Sequence, residues 1–372
     1  MSEDEKWMAR ALALAARGAG ETNPNPMVGC VVVKGGRIVG EGSHARAGGS
    51  HAEVTALERA GRRARGATLY VNLEPCSHHG RTPPCAPLVR DAGVRRVVVA
   101  MRDPNPRVDG RGLALLRRGG VAVELGILKS EALLLNERFV LATRAGRPFV
   151  LLKAAMTLDA RIATAGRRSR WITNPAQRRA ARSLRRLHDA VLVGIGTVLA
   201  DDPLLLPVPA VRRPFVRIVL DSRLRLPATS RLVRSAARSP VWVLCTEAGA
   251  SRRRRLEARG VTVIVAPRPA GRVPLRWALG ELRKRGLASV MVEGGSEVLG
   301  AFLAERLVDQ VALFRAPLLL GGRGSLPAFG GRDPARVGAA LRLRAVSPLL
   351  RRGDRAASSR SPSLFEVWYP DE

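Results

Sequence analysis

Gly48-Gly49-Ser50-His51-Ala52-Glu53-Val54 and, beyond an apolar run, Leu73-Glu74-Pro75-Cys76-Ser77-His78-His79-Gly80-Arg81-Thr82-Pro83-Pro84-Cys85 carry the residues on which the reading of this chain turns. One imidazole (His51) and two thiols (Cys76 and Cys85) are three ligands of the kind zinc takes, and with three the fourth position stays open for water. Zinc lowers the pKa of such a water from about 15.7 toward 7. His51 and Cys85 each begin a predicted helix, where unpaired N–H groups and the helix dipole favour a thiolate. Glu53 stands close enough to His51 to face that water without ligating the metal, and so to carry its proton. A structural zinc site would recruit a fourth protein ligand, such as His78 or His79, and has no use for a glutamate at this spacing.

Working outward, an Ala/Leu-rich helix runs from Trp7 to Ala16 and ends at Gly18 and Gly20. Val28–Val33 and Ile38–Gly40 read as a hairpin about the turn Lys34–Arg37. A helix then starts near Ser50 to Ala52 and reaches about Arg62. Thr68–Leu73, Val94–Met101 and Val121–Glu124 read as strands, with helices at Pro84–Ala92 and Gly112–Arg118 between them. An opening hairpin followed by alternating strands and helices predicts a three-layer α/β sheet. The polar stretch Thr143-Arg144-Ala145-Gly146-Arg147-Pro148 marks the expected boundary, giving domains 1–146 and 147–372. Past it, strands are expected near 149–154, 190–194, 216–220, 241–245, 261–266, 289–292, 309–314 and 364–369. Helices are expected over 174–187, 275–285 and 295–305, which makes a second α/β domain.

Composition bounds the function. The 372 residues exceed one ordinary core, and 46% hydrophobic content is ample for globular folding. No apolar run reaches the roughly 18 residues of a membrane span. The acidic start Met1-Ser2-Glu3-Asp4-Glu5 lacks a hydrophobic signal region, so a cytoplasmic protein is expected. Four cysteines (Cys30, Cys76, Cys85, Cys245) make no disulfide framework. The net charge of +32 invites a nucleic-acid reading. However, the arginines spread along the whole chain with only modest clusters at 62–65 and 252–255, and aromatics at 4% are few for base stacking.

His-x-Glu with a later Pro-Cys and Cys is the pattern of zinc nucleobase deaminases, although the interval from Cys76 to Cys85 exceeds their usual Cys-x-x-Cys. The longer loop adds a basic, glycine-containing segment able to grip a phosphate. Together with Asn23-Pro24-Asn25-Pro26-Met27-Val28-Gly29-Cys30 and Asp103-Pro104-Asn105-Pro106, these blocks closely resemble the bifunctional riboflavin-biosynthesis deaminase/reductase family. The resemblance implies a cytidine-deaminase-like three-layer α/β/α domain. It also implies hydrolytic deamination of 2,5-diamino-6-ribosylamino-4(3H)-pyrimidinone 5′-phosphate, with Asn25 and His44 touching the substrate. Taken alone, Asn25 reads as a turn residue, His44 as a surface histidine and Asp103–Pro106 as a loop.

The second half carries the resemblance too. Lys153-Ala154-Ala155-Met156-Thr157-Leu158-Asp159, Ser169-Arg170-Trp171-Ile172-Thr173, Gly196-Thr197-Val198-Leu199-Ala200-Asp201-Asp202-Pro203 and Val292-Glu293-Gly294-Gly295 are similar to that family's reductase. Implied are a dihydrofolate-reductase-like α/β fold and reduction of the ribosyl group to ribityl by NADPH. Met156, Trp171, Thr197, Asp201, Ser222, Gly295, Ser296, Glu297, Val298, Leu299, Gly300 and Ala301 would line the cofactor. Ser169, Arg185, Leu205 and Glu293 would face the sugar phosphate, with Lys153 as a neighbour. From the residues alone, Glu293-Gly294-Gly295-Ser296 is a strand-to-helix turn suited to phosphate, and Gly321-Gly322-Arg323-Gly324 is equally a loop. Two departures stand out: Leu206 and Val208 occupy positions where the family has Thr and Arg, and Ala160 stands where glycine is usual. Arg212 or Arg213 would be the compensating cation. Two other readings fit the residues: a deaminase whose C-terminal domain is a scaffold, and a basic nucleic-acid-binding or tRNA-type deaminase. The expected partners are a phosphorylated pyrimidine and a second copy of the chain, with neither nucleic acid nor membrane.

Overall fold

Ser2 and Glu5 cap each other reciprocally: the Glu5 N–H donates to the Ser2 hydroxyl and the Ser2 N–H to the Glu5 carboxylate. This cap starts α1 (Glu3–Ala16), which buries Trp7, Met8, Ala11 and Leu14. The computed structural model describes residues 1–78, 83–267, 271–346 and 364–371. The chain divides into two units, Met1–Gly146 and Arg147–Glu372, each with its own sheet.

In the first unit, β1 (Gly29–Lys34), β2 (Arg37–Ser43), β3 (Thr68–Leu73), β4 (Arg96–Met101) and β5 (Ala122–Leu125) pair in the order β2-β1-β3-β4-β5. β2 and β3 are antiparallel to β1, while β3, β4 and β5 are mutually parallel. Side chains alternate across the sheet. Cys30 and Val32 pack with Leu69, Val71, Val97 and Val99 beneath α2 (Ala52–Ala60), α3 (Cys85–Asp91) and α4 (Arg111–Arg118). Val31 and Val33 pack on the opposite face with Tyr70, Val98 and α1. There α5 (Lys129–Leu135) and α6 (Glu137–Ala145) complete the layer through Ala132 and Val140. The three layers expected from the pattern are therefore present.

Two glycines decide how α2 sits. A Cβ on Gly40 would lie 2.2 Å from the Ala56 carbonyl oxygen, and one on Gly42 2.4 Å from that of Ala52. The helix backbone thus lies directly on β2, which sets the height of His51 and Glu53 at its first turn.

The second unit holds a nine-stranded sheet. Its strands are β6 (Phe149–Thr157), β8 (Ala190–Gly194), β9 (Val216–Leu220), β10 (Val241–Cys245), β11 (Val261–Val265), β12 (Ser289–Gly294), β13 (Gln310–Ala316), β15 (Leu343–Val346) and β16 (Leu364–Pro370). The order is β11-β10-β9-β8-β12-β6-β13-β16-β15. Pairing is parallel from β11 to β13, and β16 and β15 close the edge antiparallel. A short ribbon pairs β7 (Arg161–Ala163) with β14 (Leu326–Pro327). Strands buried on both faces explain the near-continuous Val/Ile/Leu runs. One face packs on α11 (Leu275–Lys284) and α12 (Ser296–Ala304). The other packs on α8 (Ile195–Asp201), α9 (Arg231–Arg234) and α10 (Ala250–Glu257). The helix α7 (Pro175–Arg185) begins with a second reciprocal cap, between Asn174 and Gln177. The charge cluster at Arg252–Arg255 turns out to lie in α10. That helix buries only Leu256, so no apolar stripe signals it in the sequence.

Gly42→Val should push α2 off β2 and destabilise the protein by about 1–3 kcal/mol, the usual cost of overpacking. Thermal unfolding read by fluorescence would show a lowered midpoint; an unchanged midpoint would contradict the close packing.

Candidate active sites

His51 is the N-cap of α2 and Cys85 the first residue of α3. Cys76 follows the end of β3 and is drawn to α3 by two backbone N–H groups. That of Cys85 donates to the Cys76 Sγ at 3.3 Å, and that of Ala86 to the Cys76 carbonyl at 3.0 Å. The His51 Nδ1 lies 3.2 Å from the Cys85 Sγ and 3.7 Å from the Cys76 Sγ, and all three ligand atoms fall within 4.8 Å of one another. Zinc bonded at about 2.1 Å to nitrogen and 2.3 Å to sulfur puts such atoms about 3.6 Å apart in a tetrahedron. The donor set fits zinc. Among the described residues the group stops at three; His78 lines the cavity without joining it, and residues 79–82, which include His79 and the basic part of the loop, lie outside the described residues.

The site opens into a cavity of about 410 Å³ whose lining includes Asn25, His44, His51, Glu53, Cys76 and Asp103. Glu53 is 3% exposed, and burial pushes its carboxyl up to about 7. A hydrogen bond from Cys85 holds the Cys76 thiol down to about 4, against burial and with help from His51. The His44 Nδ1 lies 3.0 Å from the Ser50 carbonyl and its Nε2 3.2 Å from the Asn25 Nδ2. Burial lowers its pKa, so the ring is neutral, donates to Ser50 and accepts from the Asn25 amide. His44, a surface histidine on sequence grounds alone, is buried.

Sequence reasoning missed Glu74, a buried carboxylate between β3 and Cys76. Its Oε1 accepts from Gly112 at 3.0 Å and Leu113 at 3.4 Å, and its Oε2 from Gly110 at 2.9 Å and Asp103 at 3.3 Å. An acidic residue directly after an apolar strand is the signal that could have found it. Asp103 and Asn105, expected only as a loop, also reach the cavity.

In the second unit the expected residues gather where parallel strands end, the edge at which open α/β sheets bind ligands. Glu293 of β12 accepts from the Arg185 Nε at 2.5 Å and Nη2 at 2.9 Å, and the Lys153 Nζ of β6 lies 3.6 Å away. Burial raises Glu293, but Arg185 and Lys153 outweigh it and hold the carboxyl at about 2. Burial lowers Lys153. The third arm of Arg185 donates to the Leu206 carbonyl at 2.9 Å.

Ser169 donates to Asp201 on α8 at 3.4 Å, and Arg170 pairs with the same carboxylate. Trp171 is 67% exposed, with the Arg178 guanidinium 4.3 Å from its ring centre. Met156 is buried at the end of β6; Thr197 lies on α8, and Ser222 follows β9. A Cβ on Gly295 would come within 3.5 Å of the Thr197 hydroxyl. α12 starts at Gly295 with no side-chain cap, leaving N–H groups for a phosphate. That edge, with its uncapped helix start, fits a dinucleotide such as NADPH.

Three expectations are corrected. Leu299 lies in the core, and a Cβ on Gly300 would meet the Gly330 oxygen at 1.6 Å, so the cofactor-facing run from Gly295 to Ala301 narrows to its first turn. Leu205 is buried in an apolar cluster, so its side chain does not face a sugar phosphate. Arg213 cannot compensate for the missing arginine. It donates to the Arg186 and His188 carbonyls and pairs with Asp189, just ahead of β8 at the opposite edge of the sheet. Ala160 has φ +56, the left-handed region that explains a family preference for glycine there.

The chain matches the zinc-binding region of cytidine and deoxycytidylate deaminases over residues 1–101 and the RibD C-terminal domain over residues 148–349. It is 44% identical over 324 residues to the riboflavin biosynthesis protein RibD of Bacillus amyloliquefaciens, covering 86% of each. The chain belongs to the RibD family. The RibD of Escherichia coli is 44% identical over 333 residues, covering 86% of this chain and 89% of its own. Among solved structures, RibD of Acinetobacter baumannii superposes with a TM-score of 0.86 at 36% identity, covering 99% of both chains. The family joins a zinc deaminase to an NADPH-dependent reductase in riboflavin biosynthesis, and this chain has both domains. No helix among the described residues is long and apolar enough to cross a membrane.

Because Glu293 titrates lower in the folded state than its ordinary 4.5, it adds stability that is complete above about pH 4.5 and lost as pH falls toward 2. Glu293→Gln should therefore destabilise the protein by about 3 kcal/mol near pH 7, by stranding Arg185 and Lys153, and the deficit should shrink on acidification. Urea unfolding of both proteins across that range checks it.

Proposed function

We propose that the first unit removes the 2-amino group of 2,5-diamino-6-ribosylamino-4(3H)-pyrimidinone 5′-phosphate by hydrolysis, and that the second reduces the ribosyl chain of the product to ribityl. The carrying observation is the convergence of His51, Cys76 and Cys85 beside buried Glu53 in a cavity large enough for a heterocycle. A relative from Thermotoga maritima adds support. It is named as a diaminohydroxyphosphoribosylaminopyrimidine deaminase and 5-amino-6-(5-phosphoribosylamino)uracil reductase, and it superposes with a TM-score of 0.83 at 35% identity over 99% of both chains.

His51, Cys76 and Cys85 would hold the zinc, which when bound supplies a Lewis acid that makes water nucleophilic at neutral pH. Glu53 moves the protons: it takes one as water adds to the ring carbon and passes it to the ring nitrogen, then takes the remaining proton of the new hydroxyl and delivers it to departing ammonia as the C–N bond breaks. Its burial suits that work, since it brings the carboxyl up to about 7 against the pull of His51, where a proton is readily exchanged near neutrality. His44 holds the Asn25 amide nitrogen, which leaves the Asn25 Oδ1 to accept from the pyrimidine. In the second unit NADPH supplies the hydride. Glu293, pinned by Arg185 and Lys153, would accept from the sugar hydroxyls, and Lys153 would offer its N–H groups to the sugar oxygen.

Glu53→Gln should keep stoichiometric zinc while ammonia release drops about 10²–10⁴-fold; normal turnover would remove Glu53 from the proton path. Cys85→Ala should lose both zinc and deamination, measured by metal analysis and an ammonia assay. Supplied with already deaminated substrate, both variants should still oxidise NADPH, because the two sites use different residues.

A further inference from the structure

A phosphorylated sugar brought to Glu293 carries about two negative charges toward a carboxylate, so that edge needs a cation not already neutralised. The cations beside Glu293 are engaged. Arg185 gives two N–H groups to Glu293 and a third to Leu206, and Lys153 faces the same carboxylate. Arg170 is paired with Asp201, and Arg178 stacks on Trp171 while donating to the Thr173 carbonyl at 2.5 Å. Arg217 is buried and donates to the Leu204, Ser235 and Ser239 carbonyls.

One guanidinium on the same side of α7 is different. At 100° per residue, Arg178, Arg182 and Arg185 fall within a sector of about 60° around the helix axis. Arg178 reaches Trp171 from one end of that stripe and Arg185 reaches Glu293 from the other, with Arg182 between them. The Val208 N–H donates to the Arg182 carbonyl at 3.3 Å, so Arg182 borders the segment that also carries Leu205 and Leu206. Its side chain is exposed, and its guanidinium makes no hydrogen bond or ion pair among the described residues.

We propose that Arg182 binds the 5′-phosphate of the reductase substrate, an inference that rests on the reading of that site given above. The phosphate takes a bidentate pair from the free fork, while the sugar lies toward Glu293.

Steady-state kinetics with the deaminated, phosphorylated substrate test it, using wild type, Arg182→Gln, Arg182→Lys and, as a charge control on the exposed end of α11, Lys284→Gln. Arg182→Gln should raise KM about 10- to 100-fold with kcat nearly unchanged, the size of a lost charge-assisted contact. Lysine should restore most of the affinity, and Lys284→Gln should match wild type. On the dephosphorylated substrate, wild type and Arg182→Gln should be equally poor. A wild-type KM in Arg182→Gln, or an equal loss on both substrates, would overturn the assignment. Failure of the wild-type protein to oxidise NADPH on either substrate would instead overturn the reading of the site beneath it, and this inference with it.

Discussion

Burying a carboxylate is costly unless something compensates its charge, and three glutamates in this protein meet that constraint in three ways. Glu293 is offset by two cations and stays ionised. Glu74 is offset by four backbone N–H groups, three around the start of α4 and one from Asp103 after β4, with no ion pair among the described residues. Glu53 has neither arrangement, and burial dominates its pKa. These differences separate the three: Glu293 is pinned in place by its cations, Glu74 fastens the segment leading into Pro75-Cys76 to the next helix, and Glu53 keeps a carboxyl raised to about 7.

In the first unit these arrangements depend on backbone brought close by small residues. Gly40 and Gly42 let α2 lie on β2, and a Cβ on Gly112 would stand 2.0 Å from the Pro75 oxygen. The metal ligands therefore hang from two helix starts and a strand end held by close backbone packing. In the second unit, parallel pairing brings the ends of β6, β8, β9 and β12 to one edge. Lys153 and Glu293, distant in sequence, meet there, and Thr197 and Ser222 follow the neighbouring strands at the same edge, because parallel neighbours present the same end together.

Much of the first unit was legible. The continuous apolar run of β1, the turns between strands and the His51, Glu53, Cys76, Cys85 spacing are local signals, and local rules read them. Elements without an apolar stripe were not: α10 is almost wholly solvated, and so reads as a run of charge. Arg185 was one arginine among many until its partner was visible. Arg213, named with Arg212 as a compensating cation, is removed by its pairing with Asp189 ahead of β8, at the opposite edge of the sheet. Glu74 went unread because its partners are backbone N–H groups, which leave no trace in residue identity.

By itself, then, the amino-acid order determined which side chains could ligate zinc, which glutamate stood beside them, and where strands and helices would alternate. Each of these is decided within a few residues by side-chain chemistry and periodicity. Tertiary structure alone decided which of many arginines meets Glu293 and which is left free, that His44 is buried, and that Leu299 and Gly300 of α12 are turned into the packing of the second unit. Such matters depend on which distant segments pack together, and burial and pairing are properties of that packing.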